Sequence, residues 1–209
     1  MDRLKDKVVI LSGGNSGIGA CAAKLFAAEG AKVVISARRV EALDAVAEEI
    51  RQAGGEVLAI PCDISKPEQC AAVVAKTVET FGTVDVLVNN AGVLDSGLDA
   101  IEKISDETID RLVDTNTKGT LYLTREAAKV LMAKKSGSIV NVASVAGYCG
   151  NGGACGQQGS HHRPDQEYCH AGRFRQCALQ RGVPRHGSHS HDRRPQPRQP
   201  GPRYDGRHG

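Results

Sequence analysis

The chain has 209 residues, of which 40% are hydrophobic, and it carries a formal net charge of +3. The excess positive charge belongs to residues 155–209, which hold ten arginines, four acidic residues and all seven histidines. Because this charge is a property of that segment alone, we do not take it as evidence for nucleic-acid binding, and we expect no specific nucleic-acid partner. No stretch is apolar enough for a signal peptide or a membrane span, and the seven irregularly spaced cysteines then favour a cytoplasmic protein with reduced thiols and no membrane partner.

Short β-branched runs alternate with stretches of helical spacing through residues 1–154. The predicted strands are residues 8–11, 32–36, 57–60, 84–88 and 138–142. The predicted helices are residues 17–29, 40–53, 67–81 and a mostly helical stretch from 106 to about 134. This alternation predicts βαβ units, and right-handed crossovers then give an α/β fold with a Rossmann-like, doubly wound parallel sheet.

A second segment, residues 155–209, differs in composition from the first. It holds one Leu, one Val, one Phe and no Ile or Met, so it buries too little apolar surface to offset its chain entropy. We therefore expect a disordered tail rich in His, Arg and Pro. The alternative is a selected tail that binds metal or nucleic acid, but its His and Cys spacings match no zinc pattern and its basic stretch lacks interleaved aromatics. No metal site is expected.

A glycine-rich turn connects the first predicted strand to the first predicted helix. Glycines allow a tight turn and a close backbone approach to a pyrophosphate, whose charge lies at the helix N-terminus. The spacing is Gly-x-x-x-Gly-x-Gly, and a plain glycine turn is the alternative interpretation. The candidate cofactor-binding residues here are Gly13, Asn15, Ser16, Gly17, Ile18 and Gly19.

Two arginines, Arg38 and Arg39, follow the second predicted strand. An NAD site usually has an acid at this point to bind the ribose 2′-hydroxyl, whereas an arginine suits a 2′-phosphate. Because neither Ser36 nor Ala37 is acidic, we expect NADP(H) to be favoured over NAD(H). Two solvated arginines that start a helix are the alternative.

Further candidate cofactor-binding residues follow the third and fourth predicted strands. Asp63 and Ile64 stand where an adenine ring would lie, with an ordinary turn aspartate as the alternative. The fourth strand ends in a motif whose small residues admit a cofactor and whose asparagine bonds neighbouring main chain. This motif supplies the candidates Asn90, Ala91 and Gly92, and a loop without function is the alternative.

Five ordered motifs together resemble the short-chain dehydrogenase/reductase family. They are LKDKVVILSGGNSGIG, Cys62-Asp63-Ile64, NNAG, Asn116 within DTNTKG and Ser144 within GSIVNVASVAG, and the resemblance covers residues 1–154. It implies an NAD(P)(H)-dependent oxidoreductase that interconverts a small-molecule alcohol and a carbonyl. It also implies two catalytic residues, Asn116 holding a water relay and Ser144 orienting the substrate carbonyl. An intact member would form a homo-oligomer built partly on the helix that contains Asn116 and the helix after it.

The family's reacting pair, a tyrosine followed four positions later by a lysine, is missing. The tyrosines are Tyr122, Tyr148, Tyr168 and Tyr204, and the residues four positions later are Glu126, Gly152, Gly172 and His208. No lysine occurs after Lys135. In a helix, positions i and i+4 share one face, so the lysine lies beside the tyrosine. The positive charge of the lysine lowers the pKa of the tyrosine hydroxyl. We therefore expect the chain as written to be catalytically dead.

Back-translation of the tail offers an explanation for this missing pair. Read one base later, residues 157–169 permit SKAAITGLTKNTA, which resembles the family's lysine helix. Residues 176–185 permit NVRCNAVCPG, which resembles the segment that closes over the nicotinamide. We interpret the tail as the product of a reading-frame shift near residues 154–156, which truncates the sheet at its last strands and makes the family's homo-oligomer doubtful here. The alternative function is a non-catalytic NADP(H)-binding remnant, or a partner of an intact relative.

Overall fold

The computed structural model describes residues 2–94 and 101–144, and the predicted tail at 155–209 lies outside the described residues. The strands are β1 Val8–Ser12, β2 Lys32–Ala37, β3 Glu56–Pro61, β4 Val86–Asn89 and β5 Ser138–Asn141. The α-helices are α1 Gly17–Ala28, α2 Val40–Gln52, α3 Pro67–Phe81, α4 Asp106–Leu112 and α5 Thr120–Ala133. A short 3-10 turn at Ile101–Lys103 precedes α4, and a π-helical segment at Val113–Gly119 joins α4 to α5.

The five strands form one parallel sheet in the order β3-β2-β1-β4-β5. The chain moves outward from β1 to β3 and then returns to add β4 on the other side of β1. This order confirms the predicted Rossmann-like, doubly wound sheet. In such sheets ligands bind beyond the carboxyl ends of the strands at the point where the order reverses, which here lies between β1 and β4.

Helices cover both faces of the sheet, so the central strands are buried on both sides. On β2, Val33 and Ile35 pack into one cluster with α1 and α2, while Val34 packs into the other with α3 and α5. Leu43 of α2 and Leu123 of α5 are fully buried in these two clusters. Burial on both faces explains why β1 and β2 read as continuous hydrophobic runs. No helix in the described ranges is both long and apolar enough to cross a membrane.

The fourth strand starts two residues later than residue 84, where the sequence placed it. Asp85 stands at its start and contacts β1 through both backbone and side chain. Its N–H donates to the Val8 carbonyl oxygen, and its carboxylate accepts from the Val8 N–H, each at 2.9 Å. Both hydrogen bonds of Asp85 to Val8 therefore connect the start of β4 to the start of β1.

The long helix expected over residues 106–134 is interrupted by the π-helical segment. Asn116 lies inside it, and its carbonyl oxygen accepts a hydrogen bond from the Thr120 hydroxyl at 2.9 Å. At the end of the segment, a Cβ on Gly119 would lie 2.7 Å from the Ile64 side chain, so the segment passes close to the end of β3. The segment contains the weak helix formers of DTNTKG, but the sequence analysis did not predict the interruption.

Candidate functional site

The carboxyl ends of β1 to β4 surround a cleft of about 100 Å³. The structure brings six of the predicted cofactor-binding residues together in its lining, namely Asn15, Arg38, Asp63, Ile64, Ala91 and Gly92. Five further lining residues were missed by the sequence analysis, namely Ser36, Ala37, Cys62, Val93 and Thr115. Most of these stand beside a predicted residue in sequence, at the end of β2, β3 or β4. Thr115 comes from the π-helical segment, which the sequence analysis did not place.

The glycine turn after β1 approaches neighbouring backbone too closely for side chains. Gly13 has φ +72° and donates its N–H to the Ser36 carbonyl oxygen at 2.7 Å. A Cβ there would lie 2.9 Å from the Ala91 Cα atom, and a Cβ on Gly19 would lie 2.1 Å from the Gly13 carbonyl oxygen. The turn therefore presents bare backbone, as a site for a pyrophosphate requires.

The N-terminus of α1 carries the features of an anion site. Ser16 precedes the helix and its side chain makes no capping hydrogen bond, and the first turn contains no acidic residue. The first N–H groups of a helix have no partner within the helix, and they lie at the positive end of its dipole. Gly17 faces open space, since no heavy atom lies within 4 Å of where its Cβ would be. The Ile18 side chain next to it is exposed.

Ser12 and Asn90 hold the turn against the end of β4. The Ser12 hydroxyl oxygen accepts from the N–H groups of Asn90 and Ala91, each at 3.1 Å. The Asn90 side-chain amide donates to the carbonyl oxygens of Ser12 at 3.1 Å and Gly13 at 3.3 Å. The predicted contact of this asparagine with neighbouring main chain is thus present, whereas Ser12 was missed.

Both arginines after β2 are exposed at the rim of the cleft. Arg38 lines the cleft. With the Asn15 amide oxygen turned towards Arg39, that oxygen accepts from the guanidinium Nε at 3.1 Å and Nη2 at 3.0 Å. The rim between the glycine turn and β2 therefore carries two positive charges. The side chains of Ser36 and Ala37, at the end of β2, are both uncharged.

Asp63 combines the two interpretations that its sequence position left open. Its carboxylate accepts hydrogen bonds from the Ser65 N–H at 3.0 Å and the Ser65 hydroxyl at 2.8 Å, as a turn aspartate does. The same residue lines the cleft together with Ile64. A local turn therefore fixes the orientation of a residue that also lies beside the cleft.

The two residues predicted to be catalytic both lie at the carboxyl edge of the sheet. The Asn116 amide accepts from the Val93 N–H and donates to the Val93 carbonyl oxygen, both at 2.8 Å, so it holds the loop after β4. Ser144 lies three residues beyond β5 and is exposed. β5 pairs with β4 in the sheet, and the buried Asn89 side-chain amide also donates to the Asn141 side-chain oxygen at 2.8 Å.

Of the four tyrosines, only Tyr122 falls within the described residues. It lies on α5, half-buried against the α3 and α5 side of the core, with the Arg125 guanidinium 5.5 Å from its ring centroid. It is therefore a packing residue. Across the described ranges no group of three or more His, Cys, Asp or Glu side chains is placed to hold a metal ion.

Comparisons with known proteins agree with this geometry. A family model described as short chain dehydrogenase matches residues 7–156. An uncharacterized oxidoreductase of Methylorubrum extorquens is 41% identical over 146 residues, which cover 69% of this chain and 57% of the relative. The chain spans about three-fifths of the length of the curated relatives that it matches.

Two solved structures show the same likeness. A metagenomic short-chain oxidoreductase in complex with NADP has a TM-score of 0.66 and 39% identity, over 69% of this chain and 65% of that one. A single-site variant of the actinorhodin polyketide ketoreductase with NADPH has a TM-score of 0.67 and 34% identity, over 79% of this chain and 60% of that one. The chain therefore belongs to the short-chain dehydrogenase/reductase family of NAD(P)-binding oxidoreductases.

Proposed function

We propose that the cleft binds NADP(H) in preference to NAD(H). The observation that supports this most strongly is the rim formed by Arg38 and the Arg39–Asn15 pair, beside a β2 end that carries no acid. A guanidinium binds a 2′-phosphate through charge-assisted hydrogen bonds, whereas an NAD site uses a carboxylate on the ribose 2′-hydroxyl. The solved relatives with NADP and NADPH are consistent with this preference.

The residues at the cleft fit the other parts of such a cofactor. The turn from Gly13 to Gly19 and the N-terminus of α1 would hold the diphosphate. The Asp63–Ile64 and Ala91–Gly92 pairs would flank the adenosine. When bound, the nicotinamide would supply or accept the hydride that interconverts a small alcohol and a carbonyl. Ser144 would orient the carbonyl oxygen, and Asn116 would hold both the Val93 loop and the water relay.

The chain as written lacks the groups that move the proton in this reaction. A phenol has a pKa of about 10, and it needs a neighbouring cation to ionise near neutral pH. The sequence supplies no tyrosine with a lysine four residues later. We therefore propose that this chain holds NADP(H) without measurable turnover.

We also propose that the domain ends near residue 154 and that residues 155–209 are read out of frame. Two separate segments in one alternative frame resemble the family's lysine helix and its nicotinamide-closing segment. The protein sequence does not fix the third base of most codons, so a single match in another frame is easily obtained by chance. Two ordered matches in the same frame are not easily obtained in that way. An intact form of the protein would then be an active reductase.

The second candidate is that binding without turnover is itself the function of this chain. The bare glycine turn would hold the diphosphate and the arginine rim the 2′-phosphate, although the reacting pair is absent. A chain of this kind would act as an NADP(H)-binding remnant or would pair with an intact relative. Stable expression with cofactor binding but no activity would favour it.

Calorimetric titration of the purified full chain with NADPH and with NADH tests the cofactor preference. We expect tighter binding of NADPH, and we expect Arg39→Ala and Arg38→Ala each to weaken it about tenfold or more, since hydrogen bonds to charged groups contribute about 1.5–3 kcal/mol. Neither change should alter NADH binding. Arg51→Ala, on the exposed face of α2, is the matched control. Equal affinity for the two cofactors in the unaltered chain would refute the proposal.

A further inference from the structure

The loop after β4 is held at two adjacent residues by one short stretch of chain. The Asn116 side chain makes hydrogen bonds to both backbone groups of Val93. One residue further on, the Leu94 carbonyl oxygen accepts a hydrogen bond from Nη2 of Arg111 at 2.9 Å. Arg111 lies in the last turn of α4, and the function proposed above gives it no part.

The Arg111 guanidinium is directed at backbone and not at an acid. Arg111 is an exposed residue, and none of the salt bridges in the described ranges includes it. The acid three positions after it, Asp114, pairs instead with Lys118 at 2.7 Å. A hydrogen bond from a charged donor is shorter and stronger than one between neutral groups. The Leu94 carbonyl oxygen therefore has a strong partner.

The π-helical segment explains how two residues five positions apart reach the same loop. In a regular α-helix such residues lie about 140° apart around the axis. The hydrogen bonds of a π-helix join residues five apart, so the fifth residue on lies much closer to the side of the first. Asn116 lies inside Val113–Gly119, and Arg111 stands just before it. The widened turn therefore brings both side chains towards the loop after β4.

The loop that these two side chains hold borders the cofactor cleft. Val93 lines the cleft, as do Ala91 and Gly92 before it. Thr115 lines the cleft from the π-helical segment. Gly92 lies close to the Asn116 side chain, since a Cβ on Gly92 would lie 3.4 Å from Asn116 Oδ1. A shift of the loop would therefore move one wall of the cleft.

We propose that Arg111 is a positioning residue of the cofactor cleft, which fixes the loop after β4 through the Leu94 carbonyl oxygen. Asn116 fixes Val93, and Arg111 keeps the chain from turning away at the next residue. A loop that is fixed before binding loses less conformational freedom when the cofactor binds, so the affinity is higher. This effect on affinity rests on the NADP(H) site proposed above, whereas the fixing of the loop does not.

Amide hydrogen exchange of the cofactor-free full chain tests whether Arg111 fixes the loop. The reporter is the Val93 N–H, which exchanges when its hydrogen bond to Asn116 opens, and overlapping peptides that include residue 93 measure it. We expect Arg111→Met to raise its exchange rate about fivefold or more, and Arg111→Lys, which keeps a charged donor, to restore most of the protection. Lys118→Met removes the same charge from the π-helical segment and should leave the rate unchanged. An unchanged rate in Arg111→Met would overturn the proposal.

Calorimetry with NADPH tests whether the fixed loop matters to the cleft. We expect Arg111→Met to bind NADPH about fivefold more weakly, Arg111→Lys to recover most of the affinity, and Lys118→Met to bind like the unaltered chain. Arg111→Met and Lys118→Met change the net charge equally. Equal weakening in both variants would therefore overturn the positioning role, because attraction between the chain and the anionic cofactor would explain it.

A double-mutant cycle with Asn116→Ala tests whether the two side chains hold one loop. We expect Arg111→Met to weaken NADPH binding less in the Asn116→Ala background than alone, because the loop is already released there. Effects of the two changes that multiply independently would overturn the shared role.

The two measurements separate this inference from the proposed function. An unaltered chain that binds no NADPH would refute the proposed function, while faster exchange in Arg111→Met would still support the fixed loop. Faster exchange together with unchanged NADPH affinity would overturn the link between Arg111 and the cleft.

Discussion

At position 19, glycine is required by atoms of the neighbouring turn and not by the helix in which the residue lies. It lies inside α1, where alanine would be favoured over glycine by about 1 kcal/mol. A Cβ at this position, however, would lie 2.1 Å from the Gly13 carbonyl oxygen, which belongs to the backbone and cannot rotate away. The close approach of helix and turn therefore outweighs the helix propensity.

Gly19→Ala should destabilise the domain by about 1–3 kcal/mol, as overpacking does, and should abolish NADPH binding. Urea unfolding and calorimetry measure the two effects. Gly54→Ala is the matched control, because no heavy atom lies within 4 Å of its Cβ position and only its φ of +80° opposes the change. We expect this control to keep its NADPH affinity. A Gly19→Ala protein as stable as the unaltered chain would contradict the packing argument.

At this scale the sequence predicted residues whose chemistry is local. The motifs that contain the glycines predict a bare backbone, the motif that contains Asn90 predicts main-chain contact, and the two arginines predict a positive charge. Ser12 and Cys62 were missed because their positions acquire meaning only when strand ends from distant parts of the chain meet. Both residues stand within the motifs quoted from the sequence, but the motifs do not predict the contacts that these two residues make.

At the scale of elements, Asp85 connects β1, β4 and α5. Its carboxylate accepts from the Val8 N–H of β1 and pairs with Lys134 at the end of α5, while its backbone leads into β4. Burial raises the pKa of this carboxyl. The hydrogen bonds from Lys134 and Val8 outweigh that effect and hold its pKa below the ordinary value.

A carboxyl with a lowered pKa contributes stability above its unfolded-state pKa of about 4, and this contribution is lost as the pH falls through the folded-state pKa. We expect Asp85→Asn to lower the free energy of unfolding at pH 7 by about 1–3 kcal/mol. The difference from the unaltered chain should shrink below about pH 4. Urea unfolding across this pH range checks it, with the exposed Asp44→Asn on α2 as control. A difference that is constant with pH would refute the assignment.

Most elements could be predicted because their patterns are strong. Continuous β-branched runs gave the strands of the buried sheet, and α3 was predicted with its observed ends because proline marks its first turn. The π-helical segment was not predicted, because the close approach of its Gly119 to Ile64 is a non-local contact that the local sequence pattern does not show.

At the scale of the whole molecule, β5 forms the edge of the sheet within the described residues. Val140 and Val142 on and beside this strand are both about half exposed. An uncovered edge strand with apolar side chains offers a template for pairing with other chains.

We therefore expect the purified chain as written to be poorly soluble and heterogeneous in size. Size-exclusion chromatography with light scattering, followed by thermal melting, measures this. A protein in which β5 is covered by further strands of the intact family fold is the natural comparison. Monodisperse chain as written, with a single cooperative melting transition, would count against this expectation.

The strand order could be predicted from the alternation of strands and helices together with right-handed crossovers. The cofactor edge followed from that order. The substrate could not be predicted, because in this family the segments that contact it follow the tyrosine helix, and here that region has no readable family sequence. Composition alone marks residues 155–209 as foreign to the domain before them.

We propose that a cofactor-binding domain is joined in this chain to an ending that is read in the wrong frame. The base sequence of the coding DNA across the codons for residues 150–169 tests this most directly. We predict that the codons for residues 157–169, read one base later, encode the family's lysine within a helix-forming segment. Codons that encode no such lysine in that frame would contradict the account, and the tail would then have to be explained as a selected part of the protein.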